Sequence, residues 1–142
     1  MEIGFIYAIG AAVTWGLVYA IDQKVLVNIA PATLVFINSI ITAIIMLPFL
    51  FFSNGSIREV FVSGKTNWIL VIVSIVLATL ANFLIFSGIK NLDASTASII
   101  ETSYPFFVIL FSYLIFRSTP NLYFFLGGLL IFAGCVVIIK YA

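Results

Sequence analysis

A chain of 142 residues with 64% hydrophobic and 8% charged side chains cannot coat itself in enough polar surface to stay in water, because soluble domains carry roughly a quarter charged residues. A net charge of +1 leaves no basic field for nucleic acid, and the absence of His removes the commonest general base and transition-metal ligand. The composition is that of an integral membrane protein.

A helix that crosses a bilayer needs about 20 mostly apolar residues. The first such stretch covers residues 3–21. Its opening, "MEIGFIYAIGAAVTWG", has no basic region ahead of the apolar run, so it reads as the first span of the mature protein and not as a cleavable signal. "DQKVLVNIA" reads as a loop. The second span, residues 31–52, opens on Pro31, whose missing N–H costs nothing in a first helical turn. "SNGSIREVFVSGKTN" is too short to fold alone. The third span, residues 68–89, is separated by the four residues "KNLD" from the fourth, residues 94–116. After "RSTPN" the fifth runs over residues 122–139, with Asn121 placed to cap it. No segment alternates with period two, which argues against a β-barrel. The fold class expected is all-α: five transmembrane helices in a single domain spanning residues 1–142.

An odd number of spans puts the termini on opposite faces. Arg58, Lys65 and Arg117 then fall on the N-terminal side, and Lys24, Lys90 and Lys140 on the other. The positive-inside rule orients a chain by its Lys/Arg imbalance, and three against three is no imbalance. Either a weak bias from the N-terminal amine or the lipid sets the orientation, or the chain inserts both ways up. The single cysteine, Cys135, cannot form an internal disulfide and reads as a small buried hydrophobe.

Helix rise places the polar residues of the spans at one depth. Glu101, Asn38 and Asn82 each lie roughly 10 Å from the same face, and Trp15 roughly 9 Å. Trp15 and Tyr19 are spaced i, i+4, as are Asn38 and Thr42, so each pair shares a helix face. Thr79 precedes Asn82 by three residues, Ser98 precedes Glu101 by three, and Tyr104 follows it by three. Four spans thus carry a narrow polar or aromatic stripe able to line something; for Asn38 and Asn82 a purely structural role is an equal claim, and for Trp15 close packing is the stronger one. The fifth carries "GGLLIFAG" instead. There Gly127, Gly128 and Gly134 offer a small-residue seam, with Gly127 and Gly134 seven apart, for helix or dimer packing.

Glu101 is the residue that asks most of the membrane. An ionised carboxylate near the bilayer centre costs several kcal/mol, and a buried carboxyl becomes able to exchange protons near neutral pH. Pro105 lacks the N–H that would bond the Glu101 carbonyl, so a kink is expected beside the carboxyl. Kinked or broken helices are how transporters expose backbone at a midplane site. The bland alternative is a protonated Glu101 bonded to Asn82 or Tyr104 as interhelical glue.

These segments, in this order, resemble the EamA-type domain of the drug/metabolite transporter superfamily. "AAVTWGLVYAIDQKVLVNIAPATLVF" looks like that family's opening, with Trp15-Gly16, Lys24 and Pro31 at familiar spacing. "LANFLIFSGIKNLDASTASIIETSYPFFVILFSYLIF" looks like its third and fourth helices, and "FFLGGLLIFAGCVVII" like its closing Gly-rich helix. Two places depart from the family pattern: Asn38 stands near where an Arg is frequent, and "FRSTPN" replaces a common Gly-Glu pair. The resemblance implies a multi-pass protein of the plasma or inner membrane. It also implies half of a two-unit design, because larger members join two five-helix units with the second inverted. A lone unit would then pair with an inverted copy of itself, as an antiparallel homodimer, or with an inverted paralogue.

The function expected is transport of a small polar or amphipathic metabolite or drug by alternating access, within membrane lipid and without metal or cofactor. Glu101, Asn38, Asn82, Trp15, Tyr19, Tyr104, Thr42 and Ser98 are the candidate substrate contacts. A different class is a lipid-carrier flippase-like or structural subunit, in which the polar stripe opens sideways to lipid. An intramembrane enzyme would need a nucleophile with a base, or a metal, in the polar layer. No His and one intramembrane carboxylate make a poor supply, and no catalytic residue is assigned.

Overall fold

The structure, a computed structural model, describes residues 2–52, 57–117 and 121–141. These form seven helices: α1 (Glu2–Leu26), α2 (Pro31–Phe52), α3 (Ile57–Val62), α4 (Lys65–Asn91), α5 (Ala94–Glu101), α6 (Tyr104–Phe116) and α7 (Leu122–Tyr141). No strand occurs among the described residues. Five stretches are long and apolar enough to cross a membrane, with α5 and α6 together making the fourth. The protein is an all-helical, multi-pass membrane protein.

The helices form two compact units, Met1–Lys24 with Gly88–Ala142, and Val25–Ser87. In the second unit, α2 begins at Pro31 and continues through Pro48 near its end. The loop expected between the second and third spans contains α3. Ser53 to Ser56 lie outside the described residues, but the far end of the loop is clear. Gly64, at φ 97°, takes a backbone conformation that suits a residue without Cβ. That turn folds α3 onto the start of α4, where the Phe61 and Trp68 rings meet edge to face with centroids 4.7 Å apart.

The first unit holds α1, the last turn of α4, and α5, α6 and α7. Helix α7 packs against both α5 and α6. Its buried residues are Gly128 and Cys135, seven apart and therefore on one face. A Cβ on Gly128 would stand 3.2 Å from Ile109 Cδ1 and 3.7 Å from Phe106 Cα, whereas Gly127 and Gly134 have nothing within 4 Å. The inward seam within the chain is thus Gly128–Cys135, turned by one residue from the Gly127–Gly134 pair. Phe106 and Phe132, with ring centroids 5.2 Å apart, close the α6–α7 contact. Asn121 caps α7 by accepting the Tyr123 N–H at 3.1 Å.

Helix α1 runs five residues past the boundary expected from composition. "DQKVL" carries charge but no helix breaker, and Leu26 at its end is 1% exposed. Burial of that leucine rewards one more helical turn, and the chain leaves the helix only at Asn28 and Ile29, whose N–H groups both bond the Val25 carbonyl. Asp22 and Gln23, read from composition as loop residues, are in the structure part of the first span.

Candidate functional site

The site is built where α1 meets the broken fourth span. Helix α5 starts at an extended Asp93, whose Oδ1 accepts the Thr96 N–H at 2.8 Å and whose Oδ2 accepts the Thr96 hydroxyl at 2.7 Å. Those Thr96 bonds, the backbone one foremost, hold the Asp93 carboxyl below the usual carboxylate range. Gln23 Oε1 accepts the Ala94 N–H at 2.9 Å. Two of the orphan donors at this helix start are therefore met by side chains, one of them from α1.

At the other end, α5 stops at Glu101 and α6 starts at Tyr104, with Pro105 in its first turn. The backbone reorganises over two residues. The Ser103 N–H bonds Ile100 O, and the Phe106 N–H bonds Ser103 O, both three-residue closures in place of four. Pro105 has no N–H for the Glu101 carbonyl. The Ile99 carbonyl, passed over by Ser103, accepts the Cys135 thiol at 2.9 Å. Cys135 is buried, as composition suggests, and it also answers a carbonyl released by the helix break. Thr102 tightens the same turn by donating its hydroxyl to Ser98 O at 2.8 Å.

The Glu101 carboxyl receives a hydrogen bond from the Tyr19 hydroxyl, 2.7 Å to Oε2. The donor is therefore on α1, a helix the glue reading did not name. Tyr19 bonds near the C-terminal end of α5 and Gln23 bonds at its N-terminus, so α1 and α5 run antiparallel. The Trp15 ring lies one turn back from Tyr19, with centroids 5.5 Å apart. Trp15, Tyr19, Asp22 and Gln23 make one stripe at helical spacing. Asp22 is 7% exposed, and its Oδ2 is buried without a hydrogen-bond partner. Sequence reasoning passed over Asp22 and Gln23 because charge alone was taken to mark a loop. The available signal was their three- and four-residue spacing from Tyr19 and on to Leu26.

The other candidates belong to the second unit, bond within their own helices or face outward. Asn38, Thr42 and Asn82 belong to the second unit. There Asn82 donates to the Ala78 carbonyl of its own helix at 3.0 Å, and Thr79 to Ile75 at 2.8 Å. Such bonds satisfy a polar side chain inside an apolar helix without any partner. Ser98 likewise donates to Ser95 O at 3.0 Å. Tyr104 is 61% exposed, and with Pro105, Tyr123 and Phe124 it lines a groove of about 380 Å³ between α6 and α7. Among the described residues, no group of three or more His, Cys, Asp or Glu side chains is arranged to hold a metal ion.

Two comparisons with known proteins agree with this architecture. The chain is similar, at 29% identity, to an uncharacterized transporter of Methanothermobacter thermautotrophicus, over 96% of this chain and 43% of that protein. It thus spans less than half the length of that relative. No solved structure matches it significantly. The model of the EamA-like transporter family matches residues 2–140. With five stretches among the described residues long and apolar enough to cross a membrane, the chain belongs to the EamA-like transporter family.

Proposed function

We propose that the chain moves a small polar or amphipathic metabolite or drug across the membrane by alternating access, with Glu101 as the group that contacts substrate or carries the coupled proton. The observation that carries this reading is the 2.7 Å bond from Tyr19 to Glu101 at the break between α5 and α6. A carboxyl inside an apolar span is costly. Here it is joined to a phenol from another helix, beside a turn whose carbonyls have left the helical ladder. A ligand can replace either partner of that bond. Trp15 and Tyr19 supply flat walls, and Tyr104, Ser98, Asn38, Thr42 and Asn82 are further candidate contacts.

The working unit of this reading is a dimer of five-helix units, antiparallel if the partner is a second copy, with an inverted paralogue as the other form. Two facts support it. Lys and Arg are balanced three to three across the spans, and the chain matches 43% of its transporter relative. The Gly127–Gly134 face of α7, open within one chain, is suited to close helix packing in such a dimer. The setting is a plasma or inner membrane.

A Glu101→Gln variant in proteoliposomes should remain folded and lose proton-coupled flux; undiminished, pH-dependent transport would end the coupling role. C-terminal fusions to a reporter active only in the cytoplasm, and to one active only outside, should both give signal. Signal from one alone would leave a fixed topology and an inverted paralogue as partner.

One observation favours a second reading, a lipid-handling or flippase-like subunit. Tyr104 lines the α6–α7 groove, whose remaining walls are almost wholly apolar, as an acyl chain would require. Cross-linking from a photoreactive lipid to that groove, without uptake of any soluble substrate, would favour this reading over metabolite transport.

A further inference from the structure

Asp22 is a second acid carried by a membrane-spanning helix, near the end of α1, and the transport reading does not use it. It sits one turn beyond Tyr19 on α1, 7% exposed, with Oδ2 buried and unpartnered. The nearby ionisable groups of the same unit are otherwise occupied or turned outward. Glu101 takes the Tyr19 hydroxyl. Asp93 is committed to Thr96. Lys90, in the last turn of α4, has an interaction of its own. Lys24 on α1 and Tyr104 on α6 are exposed.

Two states of Asp22 compete. An ionised carboxylate would bury charge with no donor on one oxygen, among the most expensive arrangements a protein can hold. A neutral carboxyl would bury one hydroxyl and a carbonyl, a far smaller penalty, and neighbouring groups can relax to bond them. The neutral form wins by this comparison. An asparagine would meet the same packing needs without a proton to give, so the distinctive property of an acid here is that it can bind and release one.

We propose that Asp22 is a proton-binding site of this chain, separate from Glu101 and occupied by a proton in the conformation described. The inference deepens the transport reading by adding a second candidate for coupling, but protonation of Asp22 does not depend on transport. Infrared spectroscopy of the full chain in lipid vesicles tests it without substrate. Of five acidic side chains, Glu2, Glu59 and Asp93 lie at helix starts or between spans, which leaves Asp22 and Glu101 as the two acids within the span segments. In Glu101→Gln at neutral pH, the carbonyl stretch of a protonated carboxyl should persist. It should vanish when Asp22→Asn is added. Absence of that band from the Glu101→Gln single variant would overturn the proposal even if the double variant fails to fold. Its persistence in a folded double variant would overturn it too. Failure of transport alone, with the band present, would count against the transport reading and leave Asp22 as a proton site.

Discussion

Changing Tyr19 to Phe deletes one hydroxyl and keeps the ring, so the contact with Trp15, at 5.5 Å between centroids, survives. What is lost is the 2.7 Å bond to Glu101, which ties together helices 82 residues apart in sequence. A bond to an ionised acceptor contributes about 1.5–3 kcal/mol and one to a neutral acceptor about 0.5–1.5 kcal/mol. Measured interhelical bonds in bilayers average nearer ~0.6 kcal/mol and reach ~1.7, because the unfolded chain in lipid finds other partners. For a half-buried pair at short distance, a coupling of about 1 kcal/mol follows from these limits. A double-mutant cycle with Tyr19→Phe, Glu101→Leu and the pair, read by reversible unfolding in mixed micelles, measures it. Leucine is preferable to glutamine at that position, because an amide oxygen would still accept from the phenol. If the single costs add to the double within about 0.3 kcal/mol, the bond holds nothing together, and the α1–α5 seam owes its position to packing alone.

Three other outcomes are expected. Cys135→Ala should cost about 1 kcal/mol by leaving the Ile99 carbonyl without its donor, while Cys135→Ser should cost less; equal losses in the same unfolding assay would remove the thiol bond from the account. Gly128→Leu should destabilise by about 1–3 kcal/mol through overpacking against Ile109 and Phe106, and Gly127→Leu should be nearly neutral in monomeric micelles. Equal costs at the two glycines would mean that α7 is rotated from the orientation described. Asp93 supplies a pH dependence. Its carboxyl is held below the usual range in the fold, so the native chain binds fewer protons there than the unfolded one, and its contribution is complete above the ordinary carboxylate range. That contribution disappears as pH falls through the depressed native value. Hydrogen exchange at the Thr96 amide should show protection weakening on acidification in the wild type, and a flatter profile in Asp93→Asn.

The number of spans was legible from residue types alone, because burial in hydrocarbon is a sum over local side chains that no neighbour needs to complete. Pro31 at a helix start, Asn121 at a cap and the break beside Pro105 were legible for the same reason: each acts on its own backbone. The exit of α1 was not, since the burial of Leu26 and the Gln23 bond to the Ala94 N–H, both tertiary, accompany the helix through charged "DQKVL". Partner choice was decided by tertiary structure. An apolar helix is almost equally greasy on every side, and one residue turns a face by about 100°. Composition therefore could not tell a Gly127–Gly134 seam from a Gly128–Cys135 one, nor single out Tyr19 over Asn82 or Tyr104 as the donor to Glu101. Depth in the membrane follows from counting residues; azimuth around the helix comes only from what packs against it.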